Sequence, residues 1–127
     1  MKEVIATDAA PAAVGPYSQA IVADHTIYTS GQIALTPAGE LVSGTIEEEA
    51  HQVMENLRAV LAAAGVTFAE VVSVRIYLTD ISLFKQLNTV YGSYFADTQP
   101  PARETVGVAA LPLGARVEVS MVAVKAA

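Results

Sequence analysis

Cysteine is absent from the 127 residues of this chain. Disulfides, thiolate metal sites and a cysteine nucleophile are therefore excluded. The absence fits a reducing compartment, and a cytoplasmic location is expected. Basic residues are scarce as well. Lys and Arg number 7 against 13 Asp and Glu, for a formal net charge of -6 and a pI near 4.7. A surface of that sign repels phosphate backbones, so no nucleic-acid partner is expected. No apolar run is long enough to span a bilayer. The Met1 end has no basic segment followed by an apolar stretch, so neither a membrane anchor nor a signal peptide is expected. Gly-rich phosphate loops and the Gly-x-Ser-x-Gly elbow are missing. The two histidines, His25 and His51, lie far apart and outside any metal-ligand spacing. They read as surface or hairpin residues, which leaves a zinc site or a histidine base without support. No cofactor signature and no metal pattern is present.

Apolar residues are plentiful. The hydrophobic fraction is 53% and only 16% of residues are charged. That is more apolar than a small soluble monomer needs, and surplus apolar surface is usually buried against another copy of the chain. A homo-oligomer is expected. The length suits one domain over residues 1–127, with a core large enough to need no disulfide or metal.

Residues 2–6 can start as a strand. Residues 7–16 hold Pro11, Gly15 and Pro16 and read as a loop. Tyr17, directly after Gly15-Pro16, is placed either to line a pocket or to cover the core. Residues 20–23 and 26–30 are β-prone and read as a hairpin about Asp24-His25, although the usual glycine is lacking. Gly31 follows Ser30 and permits either close approach of a ligand to the backbone or a bulge. Residues 36–40 form a turn.

Thr45 is a good helix N-cap, and Glu48 completes a capping box. Glu47, Glu48 and Glu49 suit the first turn, where the helix dipole favours negative charge. The apolar stripe Ile46, Ala50, Val53, Leu57, Val60 and Ala64 predicts a helix that Gly65 stops. A strand follows at residues 71–78. Val72, Val74, Ile76 and Leu78 are expected on one face, with Val71, Ser73, Arg75 and Tyr77 on the other. Asp80 or Ser82 caps a second helix whose stripe uses Leu83, Phe84, Leu87, Val90, Tyr91, Tyr94 and Phe95, with Asn88 inside it. Pro100-Pro101 forces an extended approach to Arg103. The last strands are expected at residues 105–110 and 116–125, joined by Leu111-Pro112-Leu113-Gly114. The order β, β, β, α, β, α, β, β predicts an α+β fold with two helices on one face of a mixed sheet. The other sheet face is left for neighbouring subunits.

Two charges sit badly in these last strands. Arg103 opens the first, and Glu118 lies between Val117 and Val119 in the second. Ionised groups are seldom placed among core residues without a partner. Brought together on neighbouring strands, they form either a structural salt bridge or an anion receptor beside a water-activating base. An arginine fork binds a carboxylate through two parallel hydrogen bonds, and a glutamate can orient and partly deprotonate a water.

Several segments together resemble the RidA (YjgF) family of enamine/imine deaminases over nearly the whole chain. They are Ala10-Pro11-Ala12-Ala13-Val14-Gly15-Pro16-Tyr17-Ser18-Gln19-Ala20, Tyr28-Thr29-Ser30-Gly31-Gln32-Ile33, and Asn56-Leu57 with Leu61 to Gly65. They continue through Asn88, Tyr91 and Phe95, then Pro101-Ala102-Arg103, and Leu111-Pro112 to Val117-Glu118-Val119. The resemblance implies a chorismate-mutase-like α+β fold and a homotrimer with three sites in clefts between subunits and no cofactor. It implies a hydrolase that turns 2-aminoacrylate, 2-iminopropanoate and 2-iminobutanoate into 2-keto acids and ammonia. Such species leak from pyridoxal-phosphate enzymes, so the implied role is metabolite damage control.

Position by position, Arg103 matches the family arginine that binds the substrate carboxylate, and Glu118 the glutamate that positions the hydrolytic water. Tyr17, Ser30, Gly31 and Asn88 match pocket or pocket-supporting positions. Tyr91 matches an aromatic position near the interface. Backbone groups near Gly31 and Thr105 would complete the anion site. Thr105 stands where many members have cysteine, which puts thiol-based regulation in doubt. Glu104 replaces a small polar residue, and Ser120 stands where some relatives carry a second glutamate. The alternative in another class is a non-catalytic protein binding small carboxylate metabolites on the same scaffold. Ribonuclease and chaperone roles are also associated with the family; the acidic pI disfavours direct RNA cleavage.

Overall fold

The string Val117–Val124 alternates buried and half-buried residues along most of its length, the pattern of a strand with one face in the core and one outside it. It forms β6, near the centre of a six-stranded sheet of order β1-β2-β3-β6-β4-β5. The structure, a computed structural model, describes residues 2–126. Its elements are β1 (Lys2–Ile5), β2 (Ala20–Ala23), β3 (Thr26–Thr29), α1 (Ile46–Ala63), β4 (Val71–Leu78), α2 (Phe84–Ser93), β5 (Ala102–Gly107) and β6 (Val117–Val124). Only the β4–β5 pair is parallel. The mixed α+β architecture follows the expected order of elements.

Local chemistry explains most boundaries. Thr45 and Glu48 form the predicted capping box, each side chain accepting from the other's backbone N–H at 3.2 and 3.1 Å. Val53, Leu57, Val60 and Leu61 of α1 are fully buried, each contributing about 1.5–3 kcal/mol of burial. Gly65 ends the helix region at φ 86. Asp80 accepts from the Ser82 N–H at 3.0 Å and opens a short 3-10 turn, Ile81–Leu83, that leads into α2. In the β2–β3 hairpin Asp24 itself adopts φ 58. Aspartate tolerates that region, which is why the turn manages without glycine.

Three expectations need correction. The face of β4 switches at its start: Val71 is 4% exposed and Val72 47%. The pairing steps from Val71↔Ala123 to Ser73↔Val122, so Val72 is the extra residue of a bulge and is pushed out of the core. β5 begins at Ala102 rather than Thr105 and ends at Gly107. Parallel pairing to β4 draws the polar Arg103-Glu104 pair into the ladder, with Glu104 3.8 Å from Arg75 on the outer face. Most important, β5 and β6 are not neighbours: β4 lies between them.

The face opposite the helices carries an apolar row through four paired strands, Val4, Ile21, Tyr28 and Val122. Val4 is 60% exposed and Tyr28 51%. No helix is long and apolar enough to cross a membrane.

One member of the acidic first turn of α1 does not cap. Glu49 points inward, and its side chain is 3% exposed. It accepts from Nε of Arg116 and pairs with Nη2, while that Nη2 also donates to the Gly44 carbonyl at 2.6 Å. The pair ties α1 to the segment entering β6. Arg116→Ala strands a buried carboxylate and should cost about 3 kcal/mol of stability. Urea denaturation checks this, and the double variant Glu49→Gln/Arg116→Met should lose clearly less.

Candidate functional site

Glu118 points to the sheet face away from the helices, opposite Tyr77 in the β4–β6 ladder. Beside it the chain leaves β3 at Thr29 and runs through Ser30, Gly31 and Gln32. A two-way bridge pins this stretch to β6: the Gln32 N–H donates to Val119 O at 2.8 Å and the Val119 N–H to Gln32 O at 3.0 Å. That clamp brings the Gly31 backbone against the carboxylate. A Cβ at Gly31 would lie 2.6 Å from Glu118 Oε2, so any side chain here displaces the acid. The glycine serves close approach of the Glu118 side chain, whereas its position in the sequence offered approach of a ligand or a bulge.

Supporting bonds fix the rest of the wall. Ser30 donates its hydroxyl to Ser18 O at 2.6 Å, and its N–H donates to Gln19 O at 2.9 Å. Ser30 is thus a pocket-supporting residue whose hydroxyl proton is already used. The buried Gln19 amide accepts from the Thr7 N–H at 2.7 Å and donates to Pro11 O at 2.7 Å. It holds the proline loop in place. Gly15, at φ 121, turns the chain so that the Tyr17 ring faces the opening. Tyr17 stays 50% exposed, with its hydroxyl accepting weakly from the Val14 N–H at 3.4 Å. Asn56, fully buried on α1, donates to Ile33 O and Leu35 O at 3.3 and 2.8 Å. The result is a cleft of about 510 Å³ lined by Tyr17, Ser30, Gly31, Glu118 and apolar side chains from the proline loop, residues 33 and 35, and Pro112-Leu113. Burial raises the Glu118 pKa above its ordinary value, because a half-dry site disfavours the ionised form.

A second cluster forms on the other side of the sheet. Arg103 pairs with Val74 in the β4–β5 ladder and shares its helix-facing side. Its Nη1 donates to Asn88 Oδ1 at 2.7 Å. The guanidinium lies 4.9 Å from the Tyr91 ring centre and 5.4 Å from that of Phe84. Aromatic faces beneath a guanidinium hold it flat and attract its charge. Among the described residues no carboxylate lies within 4 Å of it, so most of its donors are free for an anion. Tyr91 Oη and Thr105 Oγ1 are both buried without a hydrogen-bond partner. Burial pushes the Tyr91 pKa up to about 12, partly opposed by Arg103. Two buried hydroxyls without a partner on the Arg103 side of the sheet are costly to the folded chain.

The candidate residues therefore fall into two sets. Tyr17, Ser30, Gly31 and Glu118 share the cleft; Asn88, Tyr91, Arg103 and Thr105 share the β5 edge under α2. Arg103 and Glu118 are on opposite faces of the sheet with β4 between them, so a salt bridge between them within one chain is excluded. Sequence reasoning missed Gln19, Asn56 and Phe84 as supports, and Glu49 as the partner of Arg116. Gln19 and Asn56 lay in segments already singled out, but amides buried there gave no sign of which carbonyls they would hold. Among the described residues no cluster of three or more His, Asp or Glu side chains could hold a metal ion.

A family model described as Endoribonuclease L-PSP matches residues 7–125. The chain is 47% identical over 126 residues to the 2-iminobutanoate/2-iminopropanoate deaminase of Homo sapiens, covering 98% of this chain and 91% of that protein. The crystal structure of the YjgF gene product from E. coli superposes with a TM-score of 0.94 at 35% identity, covering 98% of this chain and 99% of the other. That of E. coli TdcF with bound serine gives 0.94 at 32% identity, with the same coverage.

The orphaned hydroxyls give a direct test of the second cluster. Tyr91→Phe and Thr105→Val delete groups that bond nothing inside the chain. Each should leave urea stability unchanged or raise it, by up to about 1 kcal/mol. A loss above about 2 kcal/mol would show that the deleted hydroxyl is already bonded within the folded chain.

Proposed function

This chain belongs to the Endoribonuclease L-PSP family, and from that premise we propose that it is a hydrolytic deaminase of short 2-imino acids such as 2-iminopropanoate and 2-iminobutanoate. The observation that carries this reading is the division of charge. One unpartnered guanidinium waits on an aromatic bed, and one desolvated carboxylate waits against bare backbone. The human relative's name specifies the same substrates.

Each group has a task. Arg103 takes the substrate carboxylate in a two-bond fork, held in plane by Asn88, Tyr91 and Phe84. Backbone groups near Gly31 and Thr105 complete the anion site. Glu118 accepts a proton from a water as its oxygen bonds to the imine carbon. Glu118 passes that proton to the imine nitrogen, giving a carbinolamine. It then takes the carbinolamine hydroxyl proton and delivers it to the same nitrogen as the C=O bond forms and the C–N bond breaks, so ammonia leaves and the 2-keto acid remains. An imine already reacts readily with water, so positioning supplies most of what is needed. Neither metal nor cofactor enters this scheme.

Because the two sets lie on opposite sheet faces, we place each site between chains, the cleft of one copy closing on the β5 edge of the next. Two different patches meeting head to tail make a heterologous contact that closes into a ring where the rotation allows, and the homotrimer implied by the family is such a ring. The exposed apolar row through Val4, Ile21, Tyr28 and Val122 is surface such a ring would cover. RNA cleavage, which the family's description names, is less well supported. The net charge is -6, and phosphate backbones are held by clustered Lys and Arg.

Co-expression tests the shared site. Arg103→Ala and Glu118→Gln should each abolish imino-acid turnover alone. Mixed rings of the two should recover about a quarter of wild-type activity, since that share of interfaces pairs an intact Arg103 with an intact Glu118. No recovery would place both residues of a site in one chain.

The raised Glu118 pKa sets the pH profile. Glu118 works as the carboxylate, so kcat/KM should be full where it is ionised and fall as pH drops through its pKa, which burial raises and an Arg103 brought in by the next copy would draw back down. Ionised Glu118 costs native stability above that pKa. Glu118→Gln should therefore melt no lower than wild type at neutral pH while losing about 10²-fold or more in rate.

A further inference from the structure

Helix α2 carries the side chains that hold Arg103: Phe84, Asn88 and Tyr91. Its own sequence does little to keep it in place. Residues 88–93 read Asn-Thr-Val-Tyr-Gly-Ser, all weak helix formers. Leu83 at its N-cap supplies no side-chain bond. The Thr89 and Ser93 hydroxyls donate back to Lys85 O at 3.2 Å and Val90 O at 2.6 Å, and back-bonding of this kind slightly weakens a helix. So short a helix depends on its neighbours.

The neighbour is α1. Leu87, Val90 and Tyr91 of α2 are buried, but the hydrophobic effect is non-directional, whereas a hydrogen bond fixes a distance and an angle. Among the described residues, the side-chain hydrogen bonds between the two helices all meet at the Tyr94 hydroxyl, at the C-cap of α2. It donates to Glu55 Oε2 at 2.8 Å and lies 3.1 Å from His51 Nδ1. With the phenol proton given to the carboxylate, the oxygen accepts and His51 Nδ1 is the donor. Arg58 Nη1 donates to both Glu55 oxygens at 3.0 and 3.3 Å. Its guanidinium lies 5.0 Å from the Tyr94 ring centre, and Phe68 meets that ring edge-on at 5.5 Å. His51, Glu55 and Arg58 are spaced i, i+4 and i+7, so all three stand on one face of α1.

The hydrolytic scheme uses none of these side chains. A lone exposed ion pair would need no explanation, but here three groups of α1 converge on one phenol of α2. Burial first, and then the bond to Glu55, push the Tyr94 pKa up to about 12, so the phenol stays a donor. The path from it to Arg103 is short. Tyr91 lies one helical turn back and Asn88 one turn further, and Phe95 packs on the Tyr91 ring at 4.9 Å. A slip of α2 at this end carries the Asn88 oxygen and the Tyr91 ring with it.

Resting on the deaminase reading, we propose that Tyr94, tied to Glu55 and His51, is a positioning residue for Arg103, locking α2 where Asn88 and the aromatic bed hold the guanidinium ready for a substrate carboxylate. That carboxylate is bound alike before and during the reaction, so a loosened α2 removes uniform binding: KM rises and kcat stays. Glu118, on the opposite sheet face, keeps its surroundings.

Tyr94→Phe keeps the ring and deletes the hydroxyl. Titration calorimetry gives the dissociation constant of 2-oxobutanoate, the keto-acid product. An amino-acid oxidase acting on 2-aminobutyrate generates 2-iminobutanoate in place for kcat and KM. Tyr94→Phe should raise the dissociation constant and KM at least about fivefold, with kcat within about twofold of wild type. Glu55→Ala should do the same. Glu55→Gln keeps an acceptor for the phenol and should restore both constants to within about twofold of wild type. Urea denaturation alongside separates positioning from stability. Unchanged constants in Tyr94→Phe and Glu55→Ala, even with a loss of stability, would overturn the proposal and leave the deaminase reading standing. So would a fall in kcat at unchanged KM, the mark of a smaller folded fraction. A wild-type protein that turns over no imine would overturn the deaminase reading and the proposal with it.

Discussion

One strand keeps two charges apart. β4 runs between β5 and β6, parallel to the first and antiparallel to the second. Arg103 and Glu118 therefore stand on opposite faces of the same sheet. Had β5 and β6 been neighbours, with the side chains on one face, the two would have neutralised each other in a bridge worth little to anything but stability. Kept apart, each remains short of a partner. The cation rests on aromatic faces, and the carboxylate is held partly dry against a glycine.

The contrast with Glu49 and Arg116 shows what a satisfied pair looks like in this protein. Glu49 is more deeply buried than Glu118, yet it meets an arginine fork that is itself tied to the Gly44 carbonyl. Breaking such a pair is costly because the remaining ion is uncompensated. Glu118 has no cation near enough to offset its desolvation, which shows in its upward shift. Desolvation without a partner thus distinguishes Glu118 from the paired Glu49, where burial alone does not. Tyr91 and Thr105 make the same point with neutral groups, where a missing hydrogen bond replaces a missing charge.

The scaffold around these groups spends its buried amides on geometry. Gln19 holds the proline loop, Asn56 holds the carbonyls of Ile33 and Leu35, and the Gln32–Val119 bridge holds Gly31 against β6. All three act on irregular backbone, which has no ladder of its own to satisfy it. Without them the cleft wall would be mobile loop, and Glu118 would face water rather than a shaped opening.

The elements themselves were legible because they rest on local rules. A capping box, an apolar stripe and a stop glycine define α1, and alternation defines β6. The bulge at Val72 was not legible. A run of β-branched residues satisfies either register, and only the partner strand decides which valine is extra. The glutamate run at the start of α1 read as capping, and Glu48 does cap. That Glu49 turns inward depends on Arg116, 67 positions away. The residues proposed for imine hydrolysis were likewise singled out by the family's motifs in the sequence. What tertiary structure alone decided was their grouping. Side-chain direction alternates along every strand, but strand order is set by long-range pairing, so nothing local says whether two charged residues will face each other or stand back to back.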